Sequence, residues 1–310
     1  MANDRDAPSE GPVVVSPFDD EDADAIVVFS DKRQFRIYKV ILSKASSVFR
    51  DMWSIPQAGQ TAQSADNPLE MIDGLPVVHC SEDGRTLELL FTLCYPLEHP
   101  ALDSLDDVSS VLEACGKYFM DAIAPIVRKA WPAAASRDPL RAFAIACTKR
   151  WDEQARIAAR LALSERIWPL EPPLHPSFNG VSADTIVRLE SYQRKCSSAA
   201  VQRIKNAQWA TRIFDTASCT RCGGNTILTA TQSRQLTDWY TKYTQLAAKA
   251  LLLRPAGSTV KADDFVNQSI LAIYGTYPCD GNWHAMEKIQ HVVALFADEV
   301  DKLISEVHTI

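Results

Sequence analysis

The sequence has no long run of lysine or arginine, and its formal net charge is −7 over 310 residues. Sequence-independent binding to nucleic acid relies on a basic surface that neutralises phosphates, so the charge balance argues against that class of partner. No apolar run approaches the ~20 residues needed to span a bilayer. Leu246 to Leu253 comes nearest, but it is short and carries Lys249. The first residues are polar and acidic with no apolar core of a secretory signal, so the expectation is an intracellular protein, in cytoplasm or nucleus, with no membrane partner. In that compartment the eight cysteines are expected to be mostly reduced. The chain has no phosphate-cradling glycine loop, no His-Glu-x-x-His, no Gly-x-Ser-x-Gly and no dinucleotide fingerprint, which argues against an enzyme.

What is present is core-forming material. Apolar residues make up 46% and charged residues 23%, and the length is comfortable for two domains. Residues 1 to 16 mix Pro8, Gly11 and Pro12 with charged and small residues and predict a disordered tail. Asp19, Asp20, Glu21, Asp22 and Asp24 follow as an acidic cluster, read either as a solvated entry that protects an edge strand or as a docking site for a basic partner.

The stretch Phe35 to Trp53 organises the first half. Phe35 and Ile37 alternate with Arg36 and Tyr38, which predicts a strand. Ile41, Ala45, Val48, Phe49 and Met52 then recur at helical spacing, interrupted by Ser46 and Ser47, which predicts two short helices with a cap between them. An earlier strand is expected over Ala25 to Phe29, joined to Phe35 by a turn over Ser30 to Arg33. Ser54 to Gly74 reads as an exposed loop, and Pro76 to Cys80 as the next strand. Ser81 and Asp83 are candidate caps for a helix carrying Leu87, Leu90, Phe91 and Cys94, ended by Tyr95-Pro96. Further helices are expected over Leu105 to Cys115 and Tyr118 to Lys129. The order predicts an α+β domain, a small sheet capped by helices, over about Phe18 to Trp131.

These residues resemble the signature of the BTB (POZ) family. The family's pattern appears as Asp24 before an apolar strand, then Phe35, Lys39, Leu42, Ser46 and Phe49, with Tyr38 where the family usually has histidine. The opening Phe18-Asp-Asp-Glu-Asp-Ala-Asp-Ala-Ile and the later Asp73-Gly-Leu-Pro-Val-Val look like the BTB proteins expanded in mushroom-forming (basidiomycete) fungi. The resemblance implies a BTB/POZ fold over residues 17–131, self-association as a homodimer, and in some relatives a role as substrate adaptor for cullin-type ubiquitin ligases. Others act in transcriptional repression or channel assembly. It also places Asp24 and Lys39 near the base of the sheet and the dimer surface, where a structural ion pair and a partner pocket are both open readings.

Pro132 to Asp138 reads as a connector, with Asp138 as cap and Pro139 at the first helical position. Two helices follow within 138–168, the second capped by Asp152 and bearing Ala155, Ala158, Ala159 and Ala162 on a small-residue face. This pair resembles the helical extension after many BTB domains, and the alternative is a packing buttress. Pro169, Pro172, Pro173 and Pro176 predict a stiff linker and a domain boundary. The domain expected over 177–310 is helical, with helices over Asp184 to Lys205, Leu236 to Leu253, Val260 to Tyr274, and Trp283 to the last residues. In the last helix Ile289, Val293, Phe296, Val300, Leu303 and Val307 follow four-three spacing, which fits a coiled-coil seam or a helix packed on its own domain.

One local motif carries chemistry. Cys219-Thr-Arg-Cys222-Gly223-Gly224 would bring two thiolates to one metal, and Cys196 and Cys279 are the candidate remaining ligands of a closed structural zinc site, with His284 and His291 as spares. Unligated cysteines are the competing reading. A redox motif would need a strand before and a helix after it, which the pattern does not supply. A zinc-dependent nucleic-acid-binding regulator is the alternative function.

Overall fold

The computed structural model describes residues 16–54, 70–205, 226–228, 233–235, 238–274 and 282–307. It is mixed α/β and mostly helical, with one small four-stranded sheet, and it separates into two units, 1–137 and 138–310.

The first unit begins with strands β1 (Ala25–Val28) and β2 (Gln34–Ile37), paired antiparallel with Val27 opposite Phe35. Their turn is closed by Phe29 N–H donating to the Arg33 carbonyl at 3.0 Å. Helices α1 (Lys39–Ala45) and α2 (Ser47–Ser54) follow, split at Ser46. Strand β4 (Leu75–His79) pairs parallel with β1 and antiparallel with β3 (Met71–Ile72), giving the order β2-β1-β4-β3. The stretch read as a loop as far as Gly74 therefore contains a strand. The reason is its turn: Asp73 and Gly74 both have positive φ, 54° and 75°, the two-residue geometry that matches strand twist and favours Asp-Gly.

Helix α3 (Gly84–Cys94) is capped by the Asp83 carboxylate, which accepts from Thr86 N–H at 2.8 Å, and it ends at Tyr95. Helix α4 (Leu105–Lys117) is capped by Ser104, and α5 runs over Ala124–Ala135. Two expectations shift here. The fifth helix begins at Ala124 and not at Tyr118, because residues 118–123 form a turn. It also runs on through Pro132, where a connector was expected: Trp131, Ala134 and Ala135 are all buried, and that burial outweighs the backbone bond that proline gives up.

Phe35 is the centre of this unit's core. Its ring stacks on Phe18 at 4.6 Å and meets Phe29 edge-on at 4.5 Å. Phe18 is only 1% exposed, and its carbonyl accepts from Arg36 N–H at 2.9 Å, so the residues just before the acidic cluster lie along β2 and cover part of that edge.

The second unit starts with α6 (Pro139–Lys149) and α7 (Asp152–Ala162), which pack on each other through Ala142, Ala146, Ala158, Ala159 and Ala162. Asp138 caps α6, accepting from Arg141 N–H at 3.1 Å. In α7 the cap position is Trp151, so Asp152 is instead the first helical residue, where its charge suits the helix dipole. The division between units falls between Arg137 and Asp138 and not in the proline stretch. A 3₁₀ turn over Pro176–Gly180 rests on α6, where a Cβ at Gly180 would come within 2.9 Å of the Thr148 side chain.

Helix α8 (Ala183–Lys205) is followed by a hairpin of β5 (Thr226–Leu228) and β6 (Ser233–Gln235), which a helix-only reading of this half did not anticipate. Then come α9 (Asp238–Leu253), α10 (Gly257–Lys261), α11 (Asp263–Tyr274) and α12 (Asn282–Glu306). The helix expected over Val260 to Tyr274 is thus two, parted at Ala262. Ser197 and Gln193 of α8 donate to the carbonyls of Leu252 and Leu253 at 3.1 and 2.9 Å, satisfying the end of α9. On α12 the buried face is Val292, Val293, Phe296, Ala297, Val300 and Ile304. It packs on α10 and α8 within its own unit, with Phe296 6.3 Å from Tyr243. Of the heptad positions, Val293, Phe296 and Val300 are occupied by this intramolecular packing, while Leu303 and Val307 are half-buried. No helix among the described residues is long and apolar enough to cross a membrane.

Candidate interaction surface

The seven motif residues of the first unit fall into two groups, those that build the frame and those that hold its helices. Phe35, Leu42 and Phe49 are fully buried. Their sequence pattern therefore reports packing. Asp24, Tyr38, Lys39 and Ser46 make directed polar contacts.

The Asp24 carboxylate accepts from the backbone N–H of Lys39 at 2.7 Å. Tyr38 occupies the cap of α1 but offers no side-chain cap bond, so Asp24 does the capping from the neighbouring strand. This contact is side chain to backbone, where an ion pair was one of the two open readings: the Lys39 ammonium lies over the Trp53 ring, 5.8 Å from its centroid. Tyr38 donates its own N–H to the Tyr95 hydroxyl at 2.9 Å, and its hydroxyl donates to the Asp20 carboxylate. That hydrogen bond pushes the Tyr38 hydroxyl up to about 12 and holds the Asp20 carboxyl below its usual value. The position where histidine was expected thus ties the acidic segment to the sheet.

Ser46 is buried and bonds in two directions. Its hydroxyl donates to the Tyr118 carbonyl at 2.5 Å and accepts from Phe49 N–H at 3.1 Å. One side chain caps α2 and joins it to the α4–α5 turn. Ser46→Ala leaves a buried carbonyl and a helix N–H unpaired, so a loss of about 1–3 kcal/mol is expected, read by urea denaturation. A loss below about 0.5 kcal/mol, the range of ordinary surface substitutions, would show that water or a shifted turn replaces both bonds.

The same turn is braced from the far side. The Tyr118 hydroxyl donates to Glu82 at 2.5 Å, and Lys117 donates to Glu82 and Ser81 at 2.6 and 2.7 Å. Burial works to raise the Glu82 carboxyl, but the Lys117 and Tyr118 bonds outweigh it, and the carboxyl sits below its usual value.

Between α1 and this turn lies a shallow apolar groove of about 360 Å³, lined by Val40, Ile41, Lys44, Ala45, Cys94 and Ile123. Helix α1 turns Leu42 inward, which leaves Val40 outward and 61% exposed. A second exposed apolar residue, Phe119, stands in the adjoining turn at 62%. Sequence reasoning did not single out Val40, Phe119 or Ile123. The signal was present only as apolar residues off the core stripe, and single exposed apolar residues are ordinary until the fold brings them together.

The proposed zinc ligands divide differently. Cys196 is buried on α8, with its thiol pushed up to about 11 by burial. Cys219, Cys222 and Cys279 lie outside the described residues. Among the described residues no group of three or more His, Cys, Asp or Glu side chains is arranged to hold a metal.

No protein-family model and no curated protein matches the chain.

Proposed function

We propose that this chain is a BTB-type protein–protein interaction module, not an enzyme, that self-associates through its first unit and presents its helical second unit to a partner. The observation that carries this reading is the apolar groove beside α1, with Val40 61% exposed at its edge. A valine held outward beside apolar neighbours gains by being covered. The motif residues Phe35, Leu42, Ser46 and Phe49 support the family, since they are the packing and capping residues around which α1 and α2 are set.

Self-association is tested by solution mass. The intact chain is expected to sediment as a dimer at micromolar concentration, and Val40→Asp as a monomer, because a charge in a buried apolar contact is strongly unfavourable. A monomeric wild-type chain at every accessible concentration would overturn the reading.

Within that reading a cullin scaffold is the proposed first partner, with the chain as a ubiquitin-ligase substrate adaptor in cytoplasm or nucleus. A pull-down with the cullin of the same organism tests it, and absence of capture at micromolar concentration removes the branch. A structural zinc at Cys196, Cys219, Cys222 and Cys279 is proposed for the second unit. Elemental analysis of untagged protein should then find about one zinc per chain, lost in Cys219→Ala. Less than about half an equivalent, unchanged by that substitution, removes the metal.

A further inference from the structure

The α4–α5 turn is unusual in its chemistry. Helix α4 ends in a complete two-bond C-terminal motif: Met120 N–H donates to the Cys115 carbonyl at 2.9 Å and Phe119 N–H to the Gly116 carbonyl at 3.4 Å. In this motif the residue after the cap takes a left-handed conformation and is usually glycine. Here it is Phe119, with φ 49°. A bulky side chain at positive φ is strained, and such strain persists only where the surroundings over-determine the backbone.

They do so here. The residue before it is held by Ser46 to its carbonyl and Glu82 to its hydroxyl, and the residue after it, Met120, is fully buried. The turn therefore holds Phe119 out rigidly, 62% exposed. A glycine would relieve the backbone and an aspartate or asparagine would suit solvent better, so nothing among the described residues of this unit accounts for phenylalanine. A rigid, protruding aromatic is the kind of residue that anchors protein interfaces.

We infer that Phe119 is the anchor of a contact between two copies of this chain, seated in the α1 groove of the second copy. The inference rests on the self-association proposed above and assigns the residues that carry it. Three features favour a second copy as the occupant. The same turn supplies Phe119 and the groove residue Ile123, so projection and receptor belong to neighbouring parts of one surface, as an isologous contact requires. The groove is lined by apolar side chains except for one cation, Lys44. Asp121, an exposed carboxylate, lies two residues beyond Phe119, so the projection carries the charge that complements the groove.

The test uses the full chain and measures the dimer dissociation constant by sedimentation, with thermal unfolding as the companion readout. Phe119→Gly is expected to weaken the dimer about tenfold or more while leaving the midpoint of the monomer's thermal unfolding equal or higher, since the substitution removes strain. That pairing separates an anchor from a merely structural residue, whose loss would lower both. Lys44→Asp and Asp121→Lys should each weaken the dimer, and the double exchange should recover much of the loss. If the wild-type chain dimerises and Phe119→Gly dimerises equally well, the anchor is overturned and self-association stands. If the wild-type chain is monomeric throughout, both fall. If the double exchange recovers nothing, Asp121 does not face Lys44 and the seating in the groove is overturned.

Discussion

Replacing Phe35 by alanine is expected to cost about 3–5 kcal/mol, the range for losing a large aromatic from a closed core. Phe35 has no solvent exposure and touches three other rings, with Phe91 6.5 Å away in addition to Phe18 and Phe29. The cavity would sit between β2, α3 and the segment before β1, and it cannot collapse easily. Phe29 is held by the β1–β2 turn and Phe91 by the middle of α3. Phe18 alone could move. Its release would uncover the edge of β2, where its carbonyl now accepts from Arg36. Since domain stabilities are about 5–15 kcal/mol in total, this single change should leave the first unit marginal at best. Denaturant titration, followed by near-ultraviolet circular dichroism, reads the effect, and Phe35→Leu should retain most of the stability. A Phe35→Ala chain within about 1 kcal/mol of wild type would mean that the aromatic cluster is not the core.

Gly257→Ala should be the most damaging small change in the second unit. A Cβ there would lie 2.4 Å from an Asp301 carboxylate oxygen and 2.5 Å from the Ala297 carbonyl. The carboxylate is a flexible side chain and can swing away, but doing so breaks its bond from Gly257 N–H, 2.7 Å long, which starts α10. The carbonyl belongs to the α12 backbone and cannot move alone. Helix α10 must therefore back away from α12, and overpacking of this kind costs about 1–3 kcal/mol, sometimes more. Hydrogen exchange in α10 and α12 should speed up while the first unit keeps its protection. Gly116→Ala is the matched control, because a Cβ there meets nothing within 4 Å. Equal exchange in Gly257→Ala and wild type would show that the two helices have slack between them.

Several elements were legible because their signals are local. Ser46 between two apolar runs, Asp83 three residues before Thr86, and Asp138 before Pro139 each act through backbone atoms a few residues away. Where the reading missed, the deciding contact was distant. Pro132 looked like a helix end, but the burial of Trp131 carried α5 past it. The four prolines looked like a separator, but the segment after them folds back onto α6. Asp24 and Lys39 were open to two readings, an ion pair or a partner pocket, and the contact between them is neither in form: the acceptor serves the lysine's backbone amide and its ammonium lies over Trp53.

The candidate site divides along the same line. Phe35, Ser46 and Phe49 were visible in advance because periodicity and capping depend on sequence spacing alone, whereas Leu42 was marked only by the BTB resemblance and helical spacing pointed to its neighbour Ile41, which is half-buried. Val40 and Phe119 were not visible, since exposure is a property of what else packs nearby. By itself, the sequence determined the mixed α/β character, the two short helices after β2 and the Val293, Phe296 and Val300 part of the apolar face of α12. Tertiary structure alone decided that this face is filled from within its own unit, that the helix pair after Asp138 groups with the second unit, and that a strained phenylalanine stands beside an apolar groove. The physical reason is that local propensity sets which element forms, while burial between residues far apart sets which faces are left for a partner.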